Sequence, residues 1–170
     1  MWYRHKIWAG GLLVLSCFTT GHAGMLVGDK FPPLDAFTFA GGTPPDTTGK
    51  ITLVDFWASW CAPCKASFAT YAQLHATYQS RGLVIVAVSV DESQAAFAAF
   101  VKLQAPPFAT VRDRDHQLVS RVDVPVMPTC FLLGRDGRVR FVHQGFHGAG
   151  TTEEIRRELD TLLAENPPST

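Results

Sequence analysis

Cys61 and Cys64 stand two residues apart in the run Trp57-Ala58-Ser59-Trp60-Cys61-Ala62-Pro63-Cys64-Lys65. Two thiols at that spacing can make and break a disulfide, share a metal ion, or form a fixed bridge. The flanks narrow the choice. Ile51 to Trp57 is a compact apolar run rich in β-branched residues, which reads as a buried strand. Residues 62–80 carry Phe68, Tyr71, Ala72, Leu74, His75 and Tyr78 at near-helical spacing, with Gly82 as the stop. Cys61 therefore falls where a strand ends and a helix begins. The free N–H groups and the dipole at a helix start favour a thiolate, the nucleophile of disulfide exchange. Cys64 lies one turn further in, within reach of Cys61. The expected roles are attack by Cys61 and resolution by Cys64. Pro63 suits the first helical turn, where a missing N–H costs little. A fixed bridge over so short a loop would stabilise little, which weighs against a purely structural pair.

The elements that must hold this pair follow from the rest of the chain. Its 170 residues are 46% hydrophobic and 18% charged, which suits one globular domain and excludes wholesale disorder. Formal net charge is zero, which argues against a nucleic-acid or anionic-membrane binder. Residues 25–50 are rich in turn formers, with one short strand expected around Phe37 and Phe39. Leu83 to Val90 reads as a second buried strand. Gln94 to Leu103 reads as a helix ended by Pro106-Pro107. A short extended piece begins at Thr110-Val111, and His116 to Val122 forms one or two helical turns. Thr129 to Leu133 and Val139 to His143 are strands joined by a turn at Arg135-Asp136-Gly137-Arg138. The last helix opens at Thr151-Thr152-Glu153-Glu154 and buries Ile155, Leu159, Leu162 and Leu163, before a frayed tail from Asn166 to Thr170. A right-handed βαβ unit followed by a hairpin gives an α/β domain. Its mixed central sheet has four or five strands, with helices on both faces.

Residues 1–23 read as a targeting segment, and residues 24–170 as the domain. Arg4, His5 and Lys6 make a basic start, residues 7–18 an apolar run, and Gly21-His22-Ala23 a small-x-small cleavage site. The run is short for a membrane span, which needs about 20 apolar residues. An uncleaved anchor over residues 7–18, or lipidation at Cys17, would leave the domain on the same side of the membrane. Cleavage after Ala23 would leave Cys61, Cys64 and Cys130. The expected location is the periplasm or another exported compartment, where disulfides persist.

The stretch Asp55-Phe56-Trp57-Ala58-x-Trp60-Cys61-x-Pro63-Cys64-Lys65 resembles the active-site strand and helix start of thioredoxins. Gly28-Asp29-Lys30-Phe31-Pro32, Gly49-Lys50 and Val86-Ala87-Val88-Ser89-Val90-Asp91 resemble the exported TlpA/ResA branch. Val124-Pro125-Val126-Met127-Pro128-Thr129 resembles the family's cis-proline loop. The resemblance runs from about Gly28 to Leu163 and implies a thioredoxin-like fold. By itself an X-Pro bond favours trans; the resemblance implies a cis Met127-Pro128 bond beside the dithiol. Met127 would then offer its backbone to an incoming chain, as in strand addition. Trp60 is expected on the rim of that substrate-binding face and Trp57 in the core.

Asp55 lies on the buried strand, where burial raises a carboxyl pKa; the alternative is a solvated acid at a strand edge. The resemblance matches it to the buried acid of thioredoxins, which helps move a proton to or from the second cysteine. Many exported relatives carry a neutral residue there, so Asp55 departs toward the thioredoxin pattern. Cys130 reads first as a small buried hydrophobe, with a modulating thiol or a metal ligand as sharper alternatives. Lys65 is expected to be solvated. His143 and His147 are assigned turn and surface roles, and no metal site is expected.

The leading reading is an exported thiol–disulfide oxidoreductase whose only redox group is the Cys61–Cys64 couple, with no further cofactor. Resemblance to the branch implies a reductase or electron carrier, acting as a monomer. It would pass electrons from a membrane donor to oxidised cysteines of exported proteins, such as those of cytochrome c maturation or copper-site assembly. The other readings are a copper or zinc chaperone using the same thiols, a thiol peroxidase-like protein, and an inert disulfide-stapled binding domain. The peroxidase reading lacks a Pro-x-x-x-Thr-x-x-Cys setting around Cys61.

Overall fold

A computed structural model describes residues 24–165. The expected targeting segment, Cys17 and the tail from Asn166 lie outside the described residues. The elements run in the order β1 (Ile51–Trp57), α1 (Ala62–Tyr78), β2 (Leu83–Ser89), α2 (Gln94–Gln104), β3 (Ala109–Arg112), α3 (Gln117–Val122), β4 (Thr129–Leu133), β5 (Val139–Gln144) and α4 (Ala149–Ala164). The five strands form one sheet in the order β3-β2-β1-β4-β5. β1, β2 and β3 are parallel, and β4 runs antiparallel to β1 and to β5. This is the mixed sheet that a βαβ unit followed by a hairpin requires. No helix among the described residues is long and apolar enough to cross a membrane.

Strand alternation divides the core in two. Ile51, Leu53 and Trp57 of β1 point to one face, where α1, α2 and α4 pack through Phe68, Leu74, Phe97, Phe100, Ile155 and Leu159. Val54 and Phe56 point to the other, covered by α3 and by the lead-in residues Phe31 and Leu34. Every residue of β1 is buried. On the first face Trp57 lies 4.4 Å from Phe100 and 4.9 Å from Phe68, centroid to centroid. These stacked and edge-on rings fill the space between β1 and the two helices.

The lead-in differs from expectation. Phe37 and Phe39 do not form a strand: Leu34–Ala36 is a 3-10 turn, and the lead-in pairs only through two isolated bridges, Lys30 to Arg138 and Ala40 to Arg112 of β3. Pro32-Pro33 and Pro44-Pro45 remove the amide donors a longer ladder would need. The other elements fall within a few residues of their expected limits. α1 stops at Tyr78 and passes through a 3-10 turn to Gly82, whose φ of 99° suits glycine.

Two residues tie the loops at the C-terminal end of the sheet together. Asp91, buried just after β2, accepts hydrogen bonds from Ser59 N (3.1 Å), Ser59 Oγ (2.8 Å) and Ser89 Oγ (2.8 Å). Ser59 belongs to the loop that carries the β1 chain into α1. Arg112, at the end of β3, donates to the carbonyls of Asp91 and Glu92 and to Gln94 at the start of α2. Replacing Asp91 by Ala strands the buried donors and removes charge-assisted bonds. Asp91→Ala should therefore cost about 2–4 kcal/mol of stability, read as a lowered urea midpoint with an unchanged slope.

Candidate active site

The chain leaves β1 at Trp57, turns through Ala58-Ser59-Trp60 and enters α1 at Ala62. Cys61 is the N-cap of that helix, with extended backbone, and its Sγ accepts from the Cys64 amide at 3.2 Å. Pro63 falls in the first turn, as expected. Cys61 and Cys64 are joined by a disulfide, with Cα atoms 5.3 Å apart. Cys61 keeps a sliver of exposure (5%), whereas Cys64 is sealed (0%). An incoming thiolate therefore meets Cys61 first, and opening the bond leaves charge on the buried Cys64. The sulfur at the helix N-terminus is the one positioned to stand as a thiolate.

Beside the pair, an open groove of about 520 Å³ is lined by Ser59, Trp60, Val90, Glu92, His116 and Met127, among others. Trp60 is the most prominent apolar feature there, with 72% of its surface exposed. The Met127-Pro128 bond is cis. The turn is held by Thr129 Oγ1 donating to the Val126 carbonyl (2.7 Å) and by the Gly145 amide donating to the Pro128 carbonyl (2.7 Å). The sequence-named residues Trp60 and Met127 thus line one groove, and Pro128 sets the turn beside it.

Asp55 lies deep under this site. Its side chain points to the α1 face, where its exposure is zero, so the solvated-edge alternative does not hold. It is paired in register with Ala87 of β2 and Cys130 of β4. The Tyr71 hydroxyl donates to Asp55 Oδ1 at 2.9 Å, while Oδ2 is buried with no hydrogen-bond partner among the described residues. Burial pushes the Asp55 carboxyl well above the usual carboxylate range, against a smaller opposing effect of the Tyr71 hydrogen bond. The Tyr71 hydroxyl is also pushed up, first by burial and then by the neighbouring Asp55. The Cys130 thiol follows the same pattern, raised by burial and by Asp55. Cys130 is 2% exposed on β4, buried as expected, and is the free cysteine among the described residues; a Tyr71 hydrogen bond opposes the rise of its thiol. Among the described residues no three His, Cys, Asp or Glu side chains gather in a metal-holding arrangement.

Two histidines were assigned turn and surface roles, and one of them differs. His143 sits within β5, largely buried, with Nε2 2.6 Å from Glu158 Oε2 of α4. Glu158 is fifteen residues away in sequence, so only packing of α4 on the sheet reveals the pair. The partners made by Tyr71 and Asp91 are likewise not visible in the sequence, where Tyr71 reads as one more apolar helix position. The signal for it was the buried carboxyl opposite, which requires a donor.

The family model described as thioredoxin-like matches residues 49–139. The chain belongs to the thioredoxin-like family. It is 29% identical over 154 residues to the thiol-disulfide oxidoreductase ResA of Geobacillus kaustophilus, covering 89% of this chain and 87% of that one. The Bacillus subtilis ResA is 39% identical over 94 residues, a match spanning about half of each chain (55% and 52%). Among solved structures, a Chlorobium tepidum protein described as thiol:disulfide interchange protein DsbE aligns with a TM-score of 0.73 at 30% identity. That alignment covers 83% of this chain and all of the other. With a bridged CxxC pair at a helix N-terminus, this member of the thioredoxin-like family is a thiol–disulfide oxidoreductase.

Asp55 has a consequence for stability whose sign follows from linkage. A carboxyl whose pKa is raised on folding contributes its full stabilisation below the ordinary value, about 4. It loses that contribution as pH rises through the raised value, because the unfolded chain ionises first. Asp55→Asn should therefore raise the urea midpoint at neutral pH, and the gain should shrink as the pH falls towards about 4.

Proposed function

We propose that this protein is an exported disulfide reductase, with residues 1–23 directing export and Cys61–Cys64 as its only redox group. The observation that carries the reading is the asymmetry of the pair: Cys61 meets solvent beside an open groove while Cys64 is sealed beneath it. That arrangement suits a sulfur that exchanges with large partners and a second that resolves the exchange internally. In the reducing step the Cys61 thiolate attacks a sulfur of the substrate disulfide. A mixed disulfide forms and one substrate thiolate leaves. Cys64 gives up its proton and attacks Cys61, which releases the second substrate thiolate and closes the Cys61–Cys64 bond. The protein is oxidised by two electrons and the substrate disulfide is reduced by two. Asp55 serves as the group that takes the Cys64 proton in this direction and returns it in the other.

Resemblance to the TlpA/ResA branch supports the reducing direction. It also supports a thiol-reducing membrane donor and substrates among exported proteins with oxidised cysteines, those of cytochrome c maturation and copper-site assembly included. Acid trapping and thiol alkylation in cells should find Cys61 and Cys64 mostly reduced. Mostly oxidised thiols would identify an oxidant or a fixed bridge instead.

The groove supports strand addition at Met127, whose backbone follows the turn held by Thr129. Met127→Ala should leave the reaction with dithiothreitol nearly unchanged and slow turnover of a protein disulfide. Equal losses in both assays would remove Met127 from substrate binding.

A further inference from the structure

We propose that Tyr71 is a positioning residue that selects which oxygen of Asp55 exchanges a proton with Cys64. The inference rests on the proton-transfer role given to Asp55 above. Tyr71 follows Cys64 by two helical turns on the same face of α1, and both are buried in the cluster that β1 presents to that helix. A tyrosine hydroxyl has one proton, and here it is given to Oδ1. In a neutral carboxyl the oxygen that accepts is the carbonyl-like one, so the acid proton resides on Oδ2. That is the oxygen buried without a partner among the described residues. An unmet buried donor is costly unless something arrives to take the proton, and the buried Cys64 sulfur does so when its disulfide opens.

The step balances. The thiolate of a dithiol reductant bonds to Cys61 Sγ, the Cys61–Cys64 bond breaks, and its electron pair leaves on Cys64 Sγ. The Oδ2 proton passes to that sulfur, and the Asp55 carboxylate left behind keeps the Tyr71 hydrogen bond. The second thiol of the reductant then releases Cys61 by forming the reductant's own disulfide.

The titratable groups around Asp55 are Tyr71 of α1 and Cys130 of β4, with His143 of β5 and Glu158 of α4 beyond Cys130. His143 and Glu158 are engaged with each other. Burial holds Cys130 in its thiol form. Tyr71 is thus the one donor to Asp55 among the described residues.

The test is the rate at which dithiothreitol opens the disulfide of the full chain as a function of pH, corrected for the thiolate fraction of the reagent. Wild type, Tyr71→Phe, Asp55→Asn and the double variant are compared. Losing a hydrogen bond to the charged form should move the Asp55 inflection of Tyr71→Phe upward by about one pH unit. Asp55→Asn should abolish the inflection, and the double variant should match Asp55→Asn. If Asp55→Asn abolishes the inflection while Tyr71→Phe leaves it in place, the role of Tyr71 is overturned and that of Asp55 stands. If Asp55→Asn keeps the inflection, both fall. Should Tyr71→Phe fail to fold, site-specific fluorotyrosine at position 71 supplies a stronger donor. It should move the inflection downward, and an unmoved inflection overturns the proposal.

Discussion

Strand β1 is buried on both faces and paired on both edges, and its C-terminal end must still deliver a helix start to the surface. That constraint organises the molecule. A central strand cannot move without breaking two ladders, so the N-cap position it feeds is fixed in space. Cys61 inherits that rigidity. The loop between strand and helix is short and is clamped from the side by Asp91, which in turn is tied through Arg112 to α2 and β3. The Cys64 amide at the start of α1 faces that sulfur. An electrostatic site of this kind works because its dipoles need not reorganise when charge appears.

The same strand carries the least comfortable residue of the fold. Asp55 is a carboxyl among Leu53, Trp57 and the apolar face of α1, with one hydrogen bond for two oxygens. By burial alone this position favours an aliphatic side chain. Burial favours its neutral form there, and the Tyr71 hydrogen bond favours the ionised one. A group so balanced can change protonation within a closed core. Cys64, two turns before Tyr71 on the same face of α1, is fully buried. The raised carboxyl and the stability it gives up at neutral pH are two consequences of one burial.

Much of this was legible before any coordinates. The apolar run of β1, the glycine stop after α1 and the Asp-Gly turn between β4 and β5 gave element positions within a few residues, because each depends on local preferences. The lead-in differs for the same reason: alternation at Phe37 and Phe39 looks like a strand, but a strand needs a partner edge, and next to these residues there is one isolated bridge, at Ala40. His143 failed differently. Its acidic partner stands on α4, far along the chain, and nothing local distinguishes that histidine from a surface one.

What the amino-acid sequence determined by itself is the setting of the chemistry: two thiols at a strand–helix junction, an acid six residues upstream on a buried strand, and a proline loop that resembles a known substrate edge. These depend on spacing within a few residues, where backbone periodicity suffices. What only the tertiary structure decided is who satisfies whom. Tyr71 meets Asp55 across sixteen residues, Asp91 holds Ser59 across thirty-two, and Cys130 lies beside Asp55 through the pairing of β4 with β1. Such partners are chosen by sheet order and by how helices seat on the sheet. Those depend on the summed packing of the whole core, and no window of sequence contains it.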